Sequence, residues 1–169
     1  APSYAPDLDI VNVAALSSAT DPLTLAQGFL GTASGPVMDV ITSYVVVPYA
    51  DEYPDVTLDD LVHPTGQSLV RAFASRCASD TDMAVSVISA LALRADDPLY
   101  RLDVNAGPAH DRLRENIASG LVDAPLFLGQ GTDDEVVPIT MQRTLAASLC
   151  RAGRTVVAHE YPGRTHMGV

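Results

Sequence analysis

The chain has 169 residues, of which 47% are hydrophobic and 18% are charged. This balance fits one compact, well-buried domain. The formal net charge is −11 and all ten basic residues are arginine. An acidic balance without basic clusters argues against nucleic acid and against anionic membrane surfaces as partners. No apolar run reaches membrane-spanning length, and no segment has the pattern of a signal peptide.

Three short apolar runs predict buried strands in the ranges 8–16, 125–129 and 155–161. Each run is rich in Val, Leu, Ile or Ala and is bounded by Pro, Gly or polar residues, which is typical of parallel strands covered on both faces. A helix is predicted to begin at Pro138, with an apolar stripe of Met141, Leu145, Leu149 and Ala152, and to stop at Gly153. Strand, helix and strand then form a right-handed βαβ unit.

A second helix is predicted from Ala109 to Ser119, before the 125–129 strand. The middle of the chain contains no clear strand but has helical patterns separated by loops rich in Asp and Pro. The predicted helices of this region are 22–30, 36–47, 65–77 and 81–93. We therefore expect an α/β fold in which residues 1–19 and 108–169 form the sheet-containing core portion and residues 20–107 form a helical cap.

Polar residues follow the second and third predicted strands, where open α/β sheets gather their ligands and catalytic groups. The turn G-Q-G-T-D-D-E-V-V-P, residues 129–138, carries Asp133, Asp134 and Glu135, and the turn Y-P-G-R-T-H-M-G carries His166. A carboxylate that accepts a hydrogen bond from one imidazole nitrogen leaves the other nitrogen free to take a proton from a nucleophile. The same pattern also fits a solvated acidic loop and a surface histidine.

The segment G-T-D-D-E-V-V-P resembles the acid motif of α/β-hydrolases, and Y-P-G-R-T-H-M-G-V resembles their histidine motif. Together with A-P-D-L-D-I-V-N-V-A-A and L-C-R-A-G, these segments resemble the secretory lipase family of fungi and actinobacteria. The resemblance implies the C-terminal part of an α/β-hydrolase parallel sheet with a large helical cap insertion. It implies a secreted lipase or esterase acting on triacylglycerol-type esters, with Asp134 as the triad acid and His166 as the triad histidine. Asp133 is the alternative acid if the turn is shifted by one residue.

The nucleophile elbow G-x-S-x-G is absent from the 169 residues. The nearest string is G-T-A-S-G, residues 31–35, where Ser34 falls at the wrong position after a helical stretch. The resemblance implies that the serine and the oxyanion hole precede Ala1 in the parent protein and that the chain is a piece of it. We expect the chain alone to be inactive, and we expect the exposed edge of residues 8–16 to pair with the missing N-terminal part or with a second copy.

The remaining candidates are interpreted structurally. His63, His110 and His159 lack metal-ligand spacing on a helix, so neither a metal nor another cofactor is predicted. Cys77 and Cys150 fit no zinc or C-x-x-C pattern; they could form a disulfide or be small buried hydrophobes. Apolar cap residues could line an acyl-chain tunnel, although a core of the cap itself is favoured: Met38, Ile41, Val45, Phe73, Val85 and Ile88. The rival to an enzyme is a non-catalytic module of the same fold that binds an apolar ligand or a partner chain.

Overall fold

The computed structural model describes residues 7–32, 35–78, 80–93, 99–118 and 124–169. Within these ranges the chain forms one parallel sheet of three strands in the order β1-β2-β3. The strands are β1 (Val13–Leu16), β2 (Leu126–Gly131) and β3 (Val156–Tyr161). The predicted parallel arrangement of the three apolar runs is confirmed.

The first strand is shorter than the predicted range 8–16. It begins at Val13 because its partner β2 begins only at Leu126, and Val13 N–H donates to the carbonyl of Pro125 at 3.0 Å. Leu8 and Val11 lie outside the ladder and are largely exposed. The second strand is longer than predicted, since β3 continues to pair with it as far as Gly131.

Helix α7 (Ile139–Arg151) connects β2 to β3, as the βαβ prediction requires. Pro138 does not occupy the first helical position. It is the N-cap residue, with an extended ψ of 134°. Gly153 has a φ of +74° just beyond the C-cap Ala152, which is the predicted stop.

Six helices lie between β1 and β2 in the described part of the chain, with a 3₁₀ turn at Pro64–Gly66 before the fourth. They are α1 (Pro22–Thr32), α2 (Pro36–Glu52), α3 (Leu58–Leu61), α4 (Gln67–Ala74), α5 (Asp80–Leu93) and α6 (Gly107–Glu115). This order confirms a helical insertion between two strands of the sheet.

Three helix boundaries correct the sequence prediction. Helix α2 continues through Pro48 to Glu52 instead of ending at Val47. The range 65–77 is divided into the 3₁₀ turn and α4, which ends at Ala74. Helix α6 ends at Glu115, where the side-chain amide of Asn116 donates to the Arg112 carbonyl at 2.9 Å. The predicted end at Ser119 lies outside the described residues, as do Ser34 and the range 1–6.

The chain divides into two compact units, taken over the described residues of Ala1–Pro22 with Ile117–Val169, and of Leu23–Asn116. The first contains the sheet and α7, and its buried side chains include Leu128, Val137 and Leu149. The second is helical and has two buried clusters, one around Val46, Leu61 and Val70 and the other around Val40, Phe73 and Ala90. The assignment of core portion and cap to residues 1–19, 108–169 and 20–107 stays a prediction.

Neither alternative for the two cysteines holds. Cys77 and Cys150 are both exposed and both are free thiols, so they neither form a disulfide nor act as buried hydrophobes. Cys150 lies next to the last residue of α7, and Cys77 follows the end of α4. The sequence pattern alone does not indicate that either side chain contacts solvent. In the described ranges, no helix combines the length and the apolar character needed to cross a membrane.

Candidate active site

Two loops meet at the carboxyl ends of β2 and β3. The strands are adjacent and parallel, and Gly131 at the end of β2 is level with Tyr161 at the end of β3. The chain therefore leaves both strands at the same height of the sheet. The loop after β2 holds Asp133, Asp134 and Glu135, and the loop after β3 leads to His166 in a short 3₁₀ turn, His166–Gly168.

Gly131 permits the close approach of these loops. A Cβ atom at this position would lie 2.1 Å from the carbonyl oxygen of Arg164, which no side chain could tolerate. The N–H of Asp133 donates to that same carbonyl at 3.1 Å, and the N–H of Thr132 donates to the Tyr161 carbonyl at 3.1 Å. The Thr132 hydroxyl oxygen accepts from the N–H of Gly163 at 2.8 Å. Three hydrogen bonds thus hold the loop after β3 against the loop after β2.

This arrangement places the imidazole of His166 against the carboxylate of Asp134. The Nδ1 atom lies 3.1 Å from Oδ1 and 3.0 Å from Oδ2 of Asp134. The Asp134 side chain is fully buried, whereas 28% of the His166 side chain is exposed. The pair therefore has a buried acid and a histidine that reaches the surface of the unit.

The Asp134 carboxylate receives hydrogen bonds at both oxygens. Its Oδ1 accepts from the N–H groups of Val136 at 2.9 Å and Val137 at 2.7 Å. Its Oδ2 accepts from the side-chain amide of Gln130 at 2.7 Å. Burial raises the pKa of Asp134, but the Val137 N–H, the His166 ring and the Val136 N–H together outweigh burial and hold that pKa below its usual value. Asp134 is consequently a carboxylate at neutral pH.

The ionised acid determines which nitrogen of His166 carries the proton. A carboxylate can only accept hydrogen bonds, so Nδ1 must donate and the neutral ring is the Nδ1–H tautomer. The Nε2 lone pair then remains available, and no hydrogen bond links Nε2 to any described residue. A histidine oriented in this way can accept a proton at Nε2 while the carboxylate stabilises the resulting cation.

The neighbouring acids are placed differently. The Asp133 carboxylate accepts from the Thr132 hydroxyl at 2.8 Å and is exposed. Glu135 approaches only the backbone N–H of His166, at 3.5 Å. Of the three acids in the loop, Asp134 is the one whose carboxylate contacts the imidazole. The acid motif does not single out Gln130. A polar residue in an otherwise apolar strand is the signal that could have found it.

The other three histidines lie on other elements of the chain. His63 directly precedes the 3₁₀ turn at Pro64–Gly66. His110 lies in α6 and its Nδ1 is 3.1 Å from Asp111. His159 lies on β3 with its ring edge-on to Tyr161 at a centroid distance of 4.5 Å. Across the described ranges, no cluster of three His, Cys, Asp or Glu side chains is arranged to hold a metal ion.

The apolar residues of the predicted cap do not form the single core that the sequence favours. Phe73 is fully buried, but Val45, Val85 and Ile88 are exposed by 38%, 44% and 64%. Helices α2 and α5 bury small and polar residues, including Ser43, Ser86 and Ala90, and turn several larger apolar side chains outward. The prediction is wrong for the three exposed residues because it assumes that every apolar residue of the cap faces inward.

The structure is similar to solved lipases and esterases. The match to Candida antarctica lipase A covers 97% of this chain and 39% of the lipase chain, with a TM-score of 0.70 and 21% sequence identity. The rice cell wall degrading esterase LipA from Xanthomonas oryzae matches 97% of this chain and 46% of its own, with a TM-score of 0.67 and 18% identity. A comparison with protein-family models finds no match, and neither does a comparison with curated proteins.

These similarities confirm the predicted fold class, an α/β chain with the fold of the C-terminal part of an α/β-hydrolase sheet and a helical insertion. The chain spans less than half of the length of each of these two structures. A similarity at this level of identity shows the fold, and function must be argued from the site itself.

Proposed function

We propose that this chain supplies the acid and the histidine of the catalytic triad of a serine carboxylic-ester hydrolase. The observation that carries the proposal is the 3.0 Å contact between His166 Nδ1 and the buried Asp134 carboxylate. It lies beyond the carboxyl ends of adjacent parallel strands, which is where the catalytic groups of open α/β sheets gather. The fold neighbours are a lipase and an esterase, which supports an ester as the substrate.

In this reaction His166 acts first as a base and then as an acid. Its Nε2 takes the hydroxyl proton of a serine as the serine oxygen attacks the ester carbonyl, and it then gives that proton to the departing alcohol. Water repeats the sequence on the acyl-enzyme and releases the carboxylic acid. Asp134 orients the ring and stabilises the imidazolium that forms in each step.

The serine must come from outside the 169 residues, because they contain no G-x-S-x-G. General-base machinery without a nucleophile and an oxyanion hole should hydrolyse esters poorly or not at all. We therefore propose that the chain alone is inactive and that the remaining N-terminal part of the same hydrolase is its partner. The secreted location and the triacylglycerol-type substrate belong to this proposal, by analogy with the family that the sequence resembles.

The test is the hydrolysis of p-nitrophenyl esters by the full-length polypeptide that contains this chain. We expect His166→Ala to lower kcat by about 10⁴- to 10⁶-fold, since both proton transfers are lost. His159→Ala is the matched control, because His159 is an exposed histidine on β3, the strand that leads to His166, and has no carboxylate partner of this kind. Equal activity of the two variants would exclude the proposal.

A second candidate is a non-catalytic module of hydrolase fold that binds an apolar ligand or a partner chain. The observation that favours it is the outward-facing apolar set on α2 and α5 of the helical unit, which comprises Val37, Val45, Val85, Ile88 and Leu91. Exposed apolar residues mark binding surfaces where they form a contiguous patch. In that function the Asp134–His166 pair would be a relic, and His166→Ala would leave binding intact.

A further inference from the structure

Gln130 is a buried polar residue in the middle of the sheet unit. It lies on β2 and only 2% of it is exposed. Its side-chain amide donates to Asp134 Oδ2 at 2.7 Å and to the Val137 carbonyl at 2.9 Å. The Oε1 atom of the same amide is buried without a hydrogen-bond partner among the described residues.

The acceptors around Gln130 determine the orientation of its amide. If the amide were turned over, Oε1 would face the Asp134 carboxylate and the Val137 carbonyl, and three acceptors would repel one another. The observed orientation directs both N–H groups at these oxygens and leaves Oε1 unpaired, which is costly for a buried acceptor. The Gln130 amide can therefore donate to Asp134 only in this orientation.

The two oxygens of Asp134 share the His166 ring but differ in their other partners. Oδ1 accepts from the backbone N–H groups of Val136 and Val137, Oδ2 accepts from the Gln130 amide, and His166 Nδ1 lies within hydrogen-bond distance of both. The backbone donors restrain Oδ1, and the Gln130 amide restrains Oδ2, so the two sets of donors together resist rotation of the carboxylate about its Cβ–Cγ bond. Without Gln130, only the His166 ring would hold Oδ2.

We propose that Gln130 is the positioning residue of the site: it fixes the plane of the Asp134 carboxylate and thereby keeps His166 in its Nδ1–H tautomer. This role deepens the proposed function and rests on it for its catalytic meaning. Gln130 does not touch the reacting atoms and acts only through Asp134.

Gln142 provides a matched control within the same unit. It is 4% exposed, donates both amide hydrogens to one residue, Ser18, at 2.9 and 3.1 Å, and has an unpaired buried Oε1. The variants Gln130→Met and Gln142→Met thus each lose two hydrogen bonds from a buried amide of the same size. Only the first loses a hydrogen bond to the acid of the pair.

The experiment measures the ring nitrogens of His166 by ¹⁵N NMR in the chain itself, with the resonances assigned by their loss in His166→Ala. We expect wild type and Gln142→Met to show the Nδ1–H tautomer with a slowly exchanging Nδ1 proton. We expect Gln130→Met to show mixed tautomers and loss of that slowly exchanging resonance. Wild-type ring signals in Gln130→Met would overturn the inference.

If Gln130→Met does not fold, Gln130→Asn makes the same test. It keeps a buried amide but is one methylene too short to reach Asp134 at hydrogen-bond distance. In the full-length polypeptide we expect either variant to lower kcat about 10- to 100-fold with little change in KM, by analogy with the loss of a group that orients a metal-binding side chain. The NMR signals of the His166 ring report on the Asp134–His166 pair and do not require turnover. A failure of the proposed function can therefore be distinguished from a failure of this inference.

Discussion

Gly131 shows how one residue without a side chain makes the candidate site possible. The carbonyl of Arg164 occupies the space that any Cβ at this position would need. The backbone hydrogen bond from Asp133 to the same carbonyl then sets the separation of the two loops. The sequence motif contains this glycine, but its role becomes clear only in the structure. Gly131 does not have a positive φ, so the close approach of the Arg164 carbonyl is the reason for a glycine here.

We predict that Gly131→Ala separates the loops and destabilises the sheet unit by about 1–3 kcal/mol, the usual cost of forcing extra atoms into a packed site. Gly28→Ala is the control: Gly28 is exposed in α1, a Cβ there would have no atom of another element within 4 Å, and alanine should stabilise that helix by about 0.5–1 kcal/mol. Urea unfolding measures both changes. A stability of Gly131→Ala equal to wild type would contradict the close-approach argument.

The lowered pKa of Asp134 predicts a stability that depends on pH. The folded carboxyl holds its proton less tightly than an unfolded one, whose ordinary value is 3.8. Its contribution to stability is therefore complete above that value and is lost as the pH falls through the lower pKa of the folded state. We expect Asp134→Asn to be less stable than wild type at pH 7. Below about pH 4, its stability should fall less steeply with pH than that of wild type. Unfolding midpoints across this range, with exposed Asp133→Asn as the control, test it; parallel pH profiles of wild type and Asp134→Asn would count against it.

At the scale of elements, the sequence predicts the C-terminal β2, α7 and β3 to within two residues. Short apolar runs mark the two strands, an apolar stripe marks α7, and Pro and Gly mark the ends. The sequence pattern makes helix α2 too short because Pro48 lacks the N–H that a helix interior uses. Tertiary packing overrides that local signal, since Val46, Val47 and Tyr49 on both sides of Pro48 pack in the same apolar cluster. Such packing is not encoded in any local pattern.

Strand β1 is an edge of the described sheet, and we predict that the isolated chain associates through it. Edge strands offer unpaired backbone groups to other chains, and Leu16 at its end is 52% exposed. Ala14→Lys should reduce association, because a charge on an exposed edge position opposes strand pairing. Val157→Lys, at an exposed position of the opposite edge strand, is the control. Sedimentation velocity over a range of concentrations measures both, and a wild-type monomer at high concentration would contradict the prediction.

At the scale of the whole molecule, the candidate site and the outward apolar set belong to different units. The sequence motifs predict the acid and the histidine because both follow strands directly, so short local patterns carry their positions. The direction of the apolar side chains on α2 and α5 cannot be predicted in the same way. Both helices bury serine beside their apolar residues, so their buried faces do not stand out as apolar stripes.

We predict that the apolar set of α5 binds apolar ligands. Ile88→Ser should lower the binding of an apolar fluorescent dye to the chain, because Ile88 is 64% exposed. Val11→Ser is the control, since Val11 is similarly exposed, at 67%, in the sheet unit. Equal dye binding by both variants would mean that α5 provides no particular binding surface.

The central claim is that Asp134 and His166 form the acid–base pair of an ester hydrolase. Its most direct test compares kcat for Asp134→Asn and Asp133→Asn in the full-length polypeptide. We predict a loss of about 10⁴-fold for Asp134→Asn, because an amide there favours the wrong tautomer of His166, and little change for Asp133→Asn. Equal losses in the two variants, or a larger loss for Asp133→Asn, would contradict the account.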